Sequence, residues 1–172
     1  SQRVGFPAFQ AIFAQNANNP RLVTFNFQLP MNITLRVCLE VDSQTEALIV
    51  PLWQTDDLAA QLSQLAARFD VPEAALQTDF KAEPKEVLPL YPARNTEDLQ
   101  KVFLLGMGKT TGAGDTLKNF RSFFHRHKSR LPRHVAVDFT RVENPAPRLL
   151  EAAANGALAG GYNLALYKTE DN

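Results

Sequence analysis

A chain of 172 residues suits one domain, and a domain of this size buries roughly 70% of the surface that its unfolded form exposes, so a real apolar core is within reach. Eighteen Lys and Arg balance eighteen Asp and Glu, and 45% of the residues are hydrophobic, which argues against a chain built globally to bind polyanions or to stay unfolded. There is no run of 18 apolar residues to span a membrane and no secretory-signal pattern at the start, and the single Cys38 can form no intrachain disulfide; a reducing, cytoplasmic compartment is expected.

The chain starts at Ser1, and residues 1–30 read as an N-terminal arm or an extra strand whose origin the sequence leaves open. Within them Val23, Phe25, Phe27 and Leu29 alternate with polar neighbours, the period of a half-buried strand. Pro30-Met31-Asn32 breaks that alternation, and Ile33, Leu35, Val37, Leu39 and Val41 resume it, so the two runs predict a hairpin. Glu46 to Trp53 predicts a more continuously apolar strand. Leu58, Leu62, Leu65 and Phe69 then share one face of a helix capped by Thr55 or Asp56 and ended by Val71-Pro72.

Two extended pieces are predicted at 77–82 and 86–91, separated by Pro84 and closed by Pro92, followed by a buried strand at 101–106. A glycine-rich loop, 106–114, leads into a helix with Leu117, Phe120, Phe124 and Leu131 inward and Asp115 or Thr116 as cap. A strand over 133–139 follows, and Pro145 and Pro147 open a last helix that runs toward Tyr167. Strands alternating with helices predict an α/β fold, and the early hairpin predicts a mixed sheet within it.

The last helix is made of Ala152-Ala153-Ala154-Asn155-Gly156-Ala157-Leu158-Ala159-Gly160-Gly161-Tyr162 and passes into Leu166-Tyr167-Lys168-Thr169. Together with Val102-Phe103-Leu104-Leu105-Gly106-Met107-Gly108-Lys109, these residues resemble the non-catalytic N-terminal domain of the leucyl (cytosol) aminopeptidase family. The resemblance spans 31–169 and implies a three-layer α/β/α sandwich related to macro domains, with 170–172 opening a linker to a C-terminal catalytic domain. It also implies a homo-hexamer and, in that other domain, two zinc or manganese ions whose activated water removes N-terminal amino acids. No catalytic or metal residue carries over to this chain, which is expected to be inactive alone and to support assembly and active-site access.

Three further constellations bear on function. Gly106, Gly108, Lys109, Gly112 and Gly114 at a strand end form a candidate ligand loop, for a nucleotide or ADP-ribose derivative in a stand-alone macro-like module. The phosphate-loop signature fails because Phe103 stands where its first glycine belongs, and the dinucleotide pattern fails at Thr111. From Asp115 to His134, six bases oppose one acid, a net of +5 that leaves −5 elsewhere; Lys118, Arg121, Arg126, Lys128 and Arg130 form a candidate basic contact face for nucleic acid or an acidic surface. His125 and His127 point about 200° apart on a helix and cannot share a metal. Cys38 has no group beside it to activate a thiol, Asp138 reads as a turn or cap residue, and Gly156, Gly160 and Gly161 in a helix predict a second backbone close by.

Overall fold

The computed structural model describes residues 34–37, 45–92, 101–142 and 146–161. Its fold is α/β with a mixed sheet. The strands are β1 (Thr34–Val37), β2 (Ala47–Trp53), β3 (Val87–Leu90), β4 (Lys101–Gly108) and β5 (His134–Val137), and the helices α1 (Leu58–Phe69), α2 (Glu73–Asp79), α3 (Ala113–His127) and α4 (Pro147–Gly161). The sheet order is β1-β5-β2-β4-β3. β1, β5, β2 and β4 run parallel, and β3 pairs antiparallel with β4, Val87 facing Leu105 and Leu90 facing Val102.

The sheet is mixed, and among the described residues its antiparallel member is β3. The Val23–Leu29 strand of the expected hairpin lies outside the described residues, as do residues 1–33 as a whole. β1 lies parallel to β5. A seven-residue β2 with every residue buried is what a strand covered on both faces requires.

Alternation along β2 and β4 divides the core in two. Ala47, Ile49, Phe103, Leu105 and Met107 meet Phe120, Phe123 and Phe124 of α3 and Leu149, Leu150, Ala153, Ala154 and Ala157 of α4. Leu48, Val50, Leu52, Val102 and Leu104 meet Leu62, Leu65 and Phe69 of α1 and Leu76 of α2. The register slips by one residue at Leu52/Trp53, so that Trp53 faces Gly108 and the strand end is bent.

The predicted face of α1 is present, with Leu62, Leu65 and Phe69 buried; its cap position is Asp57 rather than Thr55 or Asp56, and no side chain caps it. Asp70 in the left-handed region ends the helix one residue before Val71-Pro72. The expected extended piece at 77–82 is wrong at its start, because α2 runs through Asp79. Pro72 opens this helix as well as following the last, and Glu73 accepts a hydrogen bond from Gln77 one turn on, at 2.8 Å.

Helix α3 begins after Gly112, not at Asp115 or Thr116. Thr116 is buried and donates its hydroxyl to Gly112 O at 3.0 Å. The helix stops at His127, and a 3₁₀ turn over Lys128–Arg130 carries the chain to Leu131, which still packs on the core. Residues 162–172, with the aromatic-Lys-Thr segment, lie outside the described residues.

The glycines of α4 meet α3. A Cβ on Gly156 would sit 2.5 Å from Leu117 O and 2.9 Å from Phe120 Cβ, and one on Gly160 would overlap Arg121 O. The two backbones touch because both side chains are absent. Among the described residues no helix is long and apolar enough to cross a membrane.

Candidate functional site

The carboxyl end of β4 is where an open α/β sheet tends to hold a ligand, and it contains the glycine-rich segment. Gly106 and Gly108 are strand residues rather than loop residues, and their backbone groups are engaged within the chain. Gly106 N donates to Glu86 O at 2.8 Å and Gly106 O accepts from Lys85 N at 3.0 Å. Gly108 N donates to Ala82 O at 2.9 Å and Gly108 O accepts from Gln54 N at 3.0 Å.

Glycine is needed here for packing. A Cβ on Gly106 would overlap Glu83 O, and Gly108 combines a φ of 80° with Pro84 Cγ 2.7 Å from where a Cβ would stand. The segment that presses on them is itself pinned. Glu86 accepts from Lys81 N at 3.1 Å and from Glu83 N at 2.8 Å, and Ala82 and Lys85 hold left-handed φ values of 56° and 68°.

Past Gly108 the exposed loop Lys109–Gly112 is tied down on both sides. Trp53 Nε1 donates to Thr110 O at 3.1 Å, and the Thr110 hydroxyl donates to Asp115 Oδ2 at 2.8 Å. Lys118 Nζ lies 3.4 Å from Asp115 Oδ1. The Thr110 hydrogen bond, and then Lys118, hold the Asp115 carboxyl below its ordinary range. A carboxylate therefore occupies the first turn of α3, where a phosphate would otherwise find free amides, and it opposes a second anion there. Gly112 and Gly114 flank this turn with room to spare: a Cβ on Gly114 would meet nothing within 4 Å.

At the end of β5, Asp138 is buried and serves two partners. Oδ1 accepts from Thr140 N at 2.9 Å and from the Thr140 hydroxyl at 2.6 Å, closing the turn that the sequence suggests. Oδ2 pairs with Arg68 of α1 at 3.1 Å, a partner 70 positions away that sequence spacing cannot reveal. Arg141 beside it donates to Gln64 Oε1 at 3.0 Å, and half-burial lowers the proton affinity of its guanidinium against the pull of Asp138. This network fastens α1 to the turn after β5.

The basic segment runs along α3 and past its end. Lys118, Arg121, His125 and Arg126 are exposed, Lys128 is half-buried, and Arg130 and Arg133 are exposed beyond the helix. His125 and His127 diverge as the helical period requires. His127 turns inward, its ring stacked on Phe123 at 5.0 Å and tilted against Phe103 at 5.9 Å. Desolvation, then the charges of Arg130, Arg126 and Lys101, push the His127 pKa down. Among the described residues no three His, Cys, Asp or Glu side chains gather to hold a metal. Cys38 lies outside the described residues.

Polar residues whose structural roles the sequence does not announce include Trp53 and Arg68 as above, and Asn119, buried on α3 and donating to Met107 O at 3.2 Å. Only Asn119 leaves a sequence signal, a lone amide between Thr116 and the Phe120–Phe123–Phe124 face. No protein-family model and no curated protein matches this chain.

Proposed function

We propose that the chain is a non-catalytic accessory domain of the leucyl aminopeptidase type, a three-layer, macro-like α/β/α sandwich that acts beside a di-metal catalytic domain in a cytoplasmic, oligomeric enzyme removing N-terminal amino acids. The observation that carries this reading is the use of the glycines. In both segments behind the resemblance they serve architecture, with Gly106 and Gly108 admitting the 82–84 backbone and Gly156 and Gly160 admitting α3. Helices against both faces of the sheet are consistent with three layers.

A stand-alone nucleotide or ADP-ribose module is disfavoured by the same geometry, since the amides of Gly106 and Gly108 are already bonded and Asp115 sits at the α3 N-terminus. The test is to read the coding sequence in frame beyond Asn172 and assay the product. A continuation carrying a carboxylate and lysine cluster, with zinc- or manganese-dependent release of N-terminal leucine by the whole protein and none by residues 1–172, is the expected result. A whole product with no such cluster and no peptidase activity would sink the proposal.

A further inference from the structure

Charge is separated across the sheet. On the α1–α2 side, residues 54–80 hold five acids, Asp56, Asp57, Asp70, Glu73 and Asp79, all exposed, against the single base Arg68, a net of −4. That base already faces Asp138. On the α3–α4 side, residues 113–133 hold six bases against Asp115, a net of +5, and Lys118, Arg121, Arg126 and Arg130 are exposed. α4 adds one base and one acid, Arg148 and Glu151, and so leaves the imbalance in place. The two core clusters establish that these helices lie on opposite faces of the sheet.

From this we infer a self-complementary, head-to-tail association in which the basic α3 face of one copy docks on the acidic α1–α2 face of the next. A second copy fits as the occupant, because among the described residues 54–80 and 113–133 present opposite signs in nearly equal amount on opposite faces of the sheet. Two different patches meeting make a heterologous contact, which builds a closed ring or an open chain according to its rotation, and not a two-fold dimer. The attraction is long-ranged at about 10 mM ionic strength, where the screening length is about 30 Å, and much reduced at about 0.15 M, where it is about 8 Å. The inference is independent of any peptidase partner.

The test is sedimentation velocity on the full 172-residue chain over a concentration series at both ionic strengths. Mass rising with concentration at low salt and falling back to monomer at high salt is the expected result. Arg121→Glu with Arg126→Glu, and separately Asp56→Lys with Asp79→Lys, should each weaken association at least about tenfold. Mixing the two reversed variants should restore association, in assemblies that hold the two variants in equal numbers, which a misfolded variant could not do. Monomer at every concentration in low salt would overturn the inference, and so would association indifferent to both reversals. A chain that stays monomeric yet binds duplex DNA through Arg121 and Arg126 would also overturn it and assign the face to nucleic acid.

Discussion

Replacing Gly156 by alanine sets two effects of known sign against each other. Helix propensity favours the change by about 1 kcal/mol, since Gly156 lies inside a 15-residue helix. Packing opposes it, because the new methyl would stand 2.5 Å from Leu117 O, 2.9 Å from Phe120 Cβ and 3.1 Å from Arg121 N, and two of those three atoms are backbone. No rotamer change relieves a backbone clash, so the helices must part by about 0.5–1 Å, which forfeits a quarter to a half of each dispersion contact along the seam. Overpacking of this kind costs about 1–3 kcal/mol, and a clash with two backbone atoms falls in the upper part of that range, at about 2–3 kcal/mol. We expect a net loss of about 1–2 kcal/mol, read as a midpoint lower by about 3–6 °C in thermal unfolding followed by circular dichroism. Gly114→Ala is the control: it meets open space in the first turn of α3 and should be neutral or stabilising by up to about 1 kcal/mol. A Gly156→Ala chain as stable as the parent would refute the close approach of α3 and α4.

Gly106→Ala should be more damaging than Gly156→Ala, because the added carbon overlaps the carbonyl of Glu83 in a segment held by Glu86; soluble expression and urea unfolding would show it, and a folded variant of parental stability would count against the packing described. Asp138→Ala should cost about 1–3 kcal/mol by leaving the Thr140 amide without its acceptor and removing one partner of Arg68, measured by denaturant midpoint at constant m-value. His127 has its folded pKa depressed below 6.5, so the unfolded chain binds the proton more readily; its effect on stability is absent above the unfolded value and appears as a loss when the pH falls through 6.5 toward the folded pKa. His127→Phe, which keeps an aromatic ring on Phe123, should flatten the decline in unfolding midpoint between about pH 7.5 and pH 5. Millimolar ADP-ribose should leave the unfolding midpoint unmoved, and a rise of several degrees that Lys109→Ala abolishes would restore the ligand-loop reading.

Local periodicity made most elements legible. The face of α1, the apolar run of β2 and the Phe120–Phe124 face of α3 follow from spacing alone, since burying each requires a fixed side-chain period. The error at 77–82 has a physical source. Seven residues are too few for helical periodicity to register, and Leu76 is the sole buried anchor of α2. Caps were misplaced because both helices begin without a side-chain cap, leaving Thr55, Asp56, Asp115 and Thr116 without the role such residues usually mark.

The Arg68 partner of Asp138 and the Thr110 partner of Trp53 were beyond reach for another reason: they lie 70 and 57 positions away, and only the strand order brings those segments together. The glycines were legible in kind and not in detail. In α4 their cost to helix stability announced a neighbouring backbone, and α3 is that neighbour. In β4 the same residue type at a strand end suggested phosphate chemistry, whereas the amides there are bonded to the 82–86 segment. A glycine reports that a side chain is not tolerated; whether the space belongs to a ligand or to the chain itself is decided by the hydrogen bonds around it. At Gly106 and Gly108 those bonds come from Ala82, Lys85, Glu86 and Gln54.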